Sequence, residues 1–138
     1  MAEDFLKNLV KGYTHWEIYV HENQGYLGRS IVWCKRAKAD DLTNATIAEQ
    51  AELFAVLSHL KEAVQKVFQP DWFNYSFLGN ETRHLHAHFV PRYAAPKTFM
   101  ELVFEDKRYG HNYRTHHDFQ TPEAVVRAVR EKLQSVLR

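Results

Sequence analysis

The residues best suited to chemistry stand together in the run His84-Leu-His-Ala-His-Phe-Val-Pro-Arg92. Side chains alternate faces along a strand, so His84, His86 and His88 would line one side while Leu85, Ala87 and Phe89 line the other. Imidazole changes charge near neutral pH more readily than other side chains. Three on one face can therefore supply a nucleophile, a cationic clamp for an anion and a proton donor. Two plainer readings compete. A chance arrangement would have to put three of the chain's nine His into a five-residue window, each separated by one apolar residue. A metal centre would need closer ligands, because the Cα atoms of His84 and His88 would lie about 13 Å apart at ~3.3 Å per residue. A pair such as His84 and His86 could still share an ion, but no Cys or carboxylate lies inside the run to complete a tetrahedral set.

The elements that must hold this strand are legible in the periodicity. Residues 2–11 put Phe5, Leu6, Leu9 and Val10 on one helical stripe, with Gly12 placed as a C-cap, which predicts a short N-terminal helix. Trp16–His21 alternates, Arg29–Lys35 is aromatic and β-branched, and Glu22-Asn23-Gln24-Gly25 has turn chemistry, together a β-hairpin. Thr46 and Glu49 have capping-box spacing. They precede a long helix with Ile47, Ala51, Phe54, Leu57, Leu60, Val64 and Val67 on its stripe, ended by Pro70, with His59 as an ordinary surface histidine. Phe73, Tyr75 and Phe77 mark a strand that should run antiparallel to the histidine strand across a very short turn. Thr98–Glu105 reads as a fifth strand, and Thr121-Pro122-Glu123 starts a terminal helix with Pro122 at its first position and Val125, Val126, Val129, Leu133 and Val136 inward. No repeat, low-complexity tract or linker divides residues 1–138, so a single α+β domain around an antiparallel sheet is expected. The ring-rich segment Lys107–Asp118 is either a solvated loop or one that reaches a ligand.

Composition narrows the functions. With 18 basic and 17 acidic side chains and a net charge of +1, the chain lacks the basic excess of a nucleic-acid or membrane-surface binder. Cys34 is the sole cysteine and reads as a small buried hydrophobe, in keeping with a reducing, cytoplasmic setting. No apolar run approaches the ~20 residues that span a bilayer. The start Met-Ala-Glu-Asp-Phe does not have the form of a secretory leader.

The run His84-Leu-His-Ala-His-Phe-Val resembles the His-apolar-His-apolar-His-apolar-apolar signature of the histidine triad (HIT) family, over about Trp16 to Arg92. The resemblance implies the HIT fold, a five-stranded antiparallel sheet with a long central helix and a C-terminal helix, paired as a homodimer. It also implies hydrolysis or nucleotidyl transfer at the α-phosphate of nucleoside phosphoramidates or dinucleoside polyphosphates, with a purine nucleotide as substrate and no cofactor or catalytic metal. Carried over by position, His86 would be the nucleophile, His88 would contact the phosphate oxygens and His84 would support them. Many members have a further histidine after the Gly of the second strand, where Gly28-Arg29 stands here. Arginine could clamp phosphate oxygens there but could not shuttle a proton. By resemblance His21, or Asn23 if the turn shifts, would meet the ribose hydroxyls, Asn80 the ribose or phosphate, and Thr82, or Glu81 beside it, the leaving group, while turn stabilisation would equally explain His21 and Asn80. Trp16, Ile18 and Trp33 are base-contact candidates that plain core packing would equally explain. A different class of reading keeps the chain as a nucleotide-binding module with little turnover, and the Gly-Arg replacement sustains it.

Overall fold

The computed structural model describes residues 3–137. Thr46 opens its longest element, accepting from the Glu49 N–H at 3.1 Å while the Glu49 carboxylate accepts from the Thr46 N–H at 2.9 Å. That reciprocal pair starts helix α1, Ile47–Phe68. Gln69 closes it in the left-handed region at φ 50°, directly before Pro70.

α1 lies beside a five-stranded antiparallel sheet made of β1 (Leu9–Gly12), β2 (Trp16–Val20), β3 (Ser30–Cys34), β5 (His86–Arg92) and β4 (Trp72–Ser76), in that spatial order. The expected pairing of β4 with the histidine strand is present, with Ser76 opposite His88 and Tyr75 opposite Phe89. β6 (Lys97–Phe99) and β7 (Leu102–Phe104) form a separate hairpin, and α2 (Glu123–Val136) packs near β1 and β2. One face of the sheet, carrying Trp16, Ile18, Val32, Ala87 and Phe89, is buried in a continuous core with Leu53, Val56, Leu60 and Val64 of α1 and Val125, Val129 and Leu133 of α2. Cys34 is buried there as expected. No helix among the described residues is long and apolar enough to cross a membrane.

Several expectations are corrected. In place of an N-terminal helix there is a 3₁₀ turn, Glu3–Asn8, followed by β1, which supplies the sheet's fifth strand; residue 2 lies outside the described residues. Four residues with one buried position fit either period, and the open edge of β2 offered hydrogen bonds that decided the matter. Thr98–Glu105 reverses on itself because Met100 (φ 52°) and Glu101 (φ 66°) both adopt the left-handed geometry of a two-residue hairpin turn, without a Gly or Asn to announce it. The buried stripe of α1 is Leu53, Val56, Leu60, Ala63, Val64 and Phe68, whereas Ile47 and Phe54 are 85% and 75% exposed. The cause is Glu49, whose buried carboxylate meets the Arg36 guanidinium at 3.0 Å and fixes the rotation of the helix. Pro122 is the N-cap of α2, not its first helical residue.

Candidate active site

Each wall of the site follows from strand alternation. In the β3–β5 register Trp33 faces His86 and Ile31 faces His88, so these four share the sheet face opposite the core, and Arg29 continues that face beyond β3. Trp16 and Ile18 point the other way and are fully buried, so of the three base-contact candidates only Trp33 borders the site.

The connection from β2 to β3 is rigid and sets the positions of His21 and Arg29. Gln24, itself buried, donates to the carbonyls of His21 (2.7 Å) and Arg29 (2.9 Å) and accepts from the Gly28 N–H (2.7 Å). Gly28 has φ 91° and lies against Val64, Pro91 and Phe68, where an added Cβ would come within 3.2–3.4 Å of their side chains. The strand can therefore be launched toward Arg29 only from a glycine.

His86, His88, Arg29, His21, Asn80 and Thr82 all line one cavity of about 730 Å³. Asn80 and Thr82 stand at its exposed rim, on the turn between β4 and β5. His84 does not. β5 begins at His86, and the His84 ring sits behind the cavity wall, stacked on Trp33 with centroids 4.0 Å apart and donating from Nε2 to the Cys34 carbonyl at 2.6 Å. Its backbone carbonyl accepts from His86 Nδ1–H at 2.5 Å. A carbonyl can only accept, so Nδ1 carries a proton, and in the neutral ring this tautomer leaves the lone pair on Nε2.

Electrostatics divide the other rings. Burial, then the charge of Arg29 and the neighbouring His88, hold His21 down to about 3. Its Nδ1 accepts from the Asn23 N–H at 2.9 Å, leaving a neutral Nε2–H to offer to a ligand. Burial, then His86 and Arg29, hold His88 down to about 4, and its buried Nδ1 has no hydrogen-bond partner among the described residues. The permanent positive charge is thus Arg29. It is 3% exposed, and none of the ion pairs among the described residues supplies it with a carboxylate.

Sequence reasoning did not single out Tyr113, Thr115 and His117, which close the cavity from the ring-rich segment 107–118. That segment does reach the site. Buried Arg92 anchors it, pairing with Asp106 at 2.7 Å and donating to the carbonyls of Arg108 and His111. Its density of rings and small polar groups was the available signal. No group of three or more His, Cys, Asp or Glu among the described residues is arranged to hold a metal ion.

Known proteins carry the same architecture. The chain is similar to a histidine triad protein from Bradyrhizobium japonicum (14% identity, TM-score 0.76, 100% of this chain and 97% of that one). It is also similar to a histidine triad protein from Sinorhizobium meliloti (16%, 0.78, 99% and 95%) and to a zinc-bound histidine triad family protein from Mycobacterium smegmatis (18%, 0.65, 94% and 82%). No curated protein sequence matches. The family model described as HIT domain matches residues 20–95, more than half of the chain, from the end of β2 through the histidine strand, and the chain belongs to the HIT domain family.

Proposed function

We propose that the protein is a nucleotide hydrolase or nucleotidyl transferase that acts on the α-phosphate of nucleoside phosphoramidates or dinucleoside polyphosphates through a nucleotidyl adduct on His86. The observation that carries this reading is the hydrogen bond from His86 Nδ1–H to the His84 carbonyl, which puts the lone pair of the neutral ring on Nε2, at the wall of a cavity that also holds Arg29 and His88. Nε2 attacks phosphorus, the P–N or P–O bond to the leaving group breaks, and the leaving group takes a proton from solvent at the open rim as it departs. Water then attacks the nucleotidyl-histidine, breaking the P–Nε2 bond, giving the nucleoside monophosphate, returning Nε2 and releasing a proton to solvent. Arg29 stabilises the charge that builds on the phosphoryl oxygens, and the neutral His88 adds a hydrogen bond or gains a proton as the anion arrives. His21 Nε2–H and Asn80 meet the ribose, and Thr82 stands near the leaving group. His84 supports the nucleophile through its carbonyl.

The test is turnover of adenosine phosphoramidate and diadenosine polyphosphates by the wild type and by His86→Asn, with AMP release followed by chromatography. AMP release by the wild type and a loss of at least about a thousandfold in His86→Asn are expected, with AMP affinity retained. An inert wild type that still binds AMP would instead support a nucleotide-binding module. Activity abolished by chelator and restored by zinc would point to a metal-dependent reaction.

A further inference from the structure

The Arg29 guanidinium is buried and has no carboxylate partner among the described residues, so its position depends on neutral neighbours. Nη1 donates to Thr115 Oγ1 at 3.0 Å, and Cζ lies 5.5 Å from the centre of the Tyr113 ring. Both neighbours belong to the segment 107–118, which is itself tied down along its length. The Tyr26 hydroxyl donates to the Arg114 carbonyl (2.8 Å) and accepts from the Arg114 N–H (2.9 Å). Asn23 Nδ2 donates to the His116 carbonyl at 2.9 Å, and the Tyr113 hydroxyl meets Ser76 Oγ at 2.7 Å, beside His88 in the sheet register. The segment therefore spans the site from the β2–β3 connection to the edge strand β4, and it touches Arg29 at the middle of that span.

We propose that Thr115 and Tyr113 are positioning residues for Arg29: they hold the guanidinium aimed at the phosphate, so that segment 107–118 is a built part of the phosphate site. This rests on Arg29 being the phosphate clamp of the proposed reaction. An arginine side chain has several rotatable bonds, and an unheld guanidinium would have to be ordered in each catalytic cycle, at the expense of the transition state. Thr115 supplies the directional acceptor. Tyr113 supplies a ring face that attracts a cation without neutralising it, as a carboxylate would.

A double-mutant cycle tests the proposal. Thr115→Val keeps the shape and removes the acceptor; it should lower kcat about five- to tenfold with KM changed less than twofold, while Thr115→Ser should retain near wild-type kcat. In an Arg29→Ala background, itself lowered at least about tenfold, Thr115→Val should cost less than a further twofold. Tyr113→Leu should behave like Thr115→Val. In the free protein, without any substrate, the Arg29 Nε–Hε NMR signal should shift or broaden in Thr115→Val and return in Thr115→Ser. Losses that multiply in the double variant, a Ser variant as defective as the Val variant, or an unmoved Arg29 signal would each overturn the positioning role. If the wild type turns over none of the nucleotides, the proposed reaction fails by itself, and the NMR readout still decides whether Thr115 holds Arg29.

Discussion

At the scale of single residues, the site combines one permanent cation with two imidazoles that resist protonation. The sequence made the positions of His86 and His88 legible, because strand alternation puts both on one face, as the β3–β5 register has them. It did not convey that His84 falls before the strand begins, nor that His88 is held neutral, since both depend on the tertiary fold: Trp33 and the Cys34 carbonyl for one, burial and then the charges of His86 and Arg29 for the other. A pH dependence follows. His21 and His88 titrate near 6.5 in the unfolded chain but at about 3 and about 4 when folded. Below about pH 6.5 the unfolded chain therefore takes up protons that the folded one refuses. Their contribution is neutral above that pH, destabilises as pH falls, and reaches its full extent near the folded values. The melting temperature should drop by several degrees between pH 7.5 and pH 5, and less steeply in His21→Asn and His88→Asn. Calorimetric scans giving wild type and both variants the same pH slope would contradict this. Phosphate or AMP should oppose the loss in the wild type, since a bound anion favours the protonated rings.

At the scale of elements, what was legible depended on whether a local signal had a rival. The capping box of α1, the hairpin of β2 and β3 and the β4–β5 pairing all have local chemistry that agrees with the tertiary fold. The stripe of α1 was ambiguous because apolar residues occur on two faces, and the Arg36–Glu49 contact between distant segments chose one. The β2–β3 connection illustrates the reverse, since Gly28 at φ 91° was visible as a glycine while its reason lay in the side chains of Val64, Pro91 and Phe68. Gly28→Ala should destabilise the protein by about 2 kcal/mol, combining left-handed strain with a tight contact, and should weaken nucleotide binding through displacement of Arg29. Chemical denaturation that gave an unchanged midpoint would refute the requirement for glycine.

At the scale of the whole molecule, the α+β architecture and the gathering of most predicted site residues around one cavity followed from a sequence pattern that fixes a strand's two faces at once. The contribution of segment 107–118 did not, because its course depends on anchoring by Arg92, Tyr26 and Asn23, each far away in the chain. The molecule also leaves apolar surface uncovered. β4 is an edge strand of the sheet, with Trp72 66% and Tyr75 43% exposed, and α1 presents Ile47 and Phe54 to solvent. Such side chains fit an interface between two copies, and a homodimer is expected. Sedimentation at micromolar concentration should then give twice the 16.3 kDa chain mass, whereas a purely monomeric species would count against pairing. The covalent step on His86 is open to capture by rapid acid-free quenching with adenosine phosphoramidate, followed by peptide mass spectrometry. One adenylyl group is expected on the peptide that contains His86, lost in mild acid, stable in alkali and missing from His86→Asn. Turnover of the wild type with no adduct at any quench time, or an adduct that persists in His86→Asn, would contradict it.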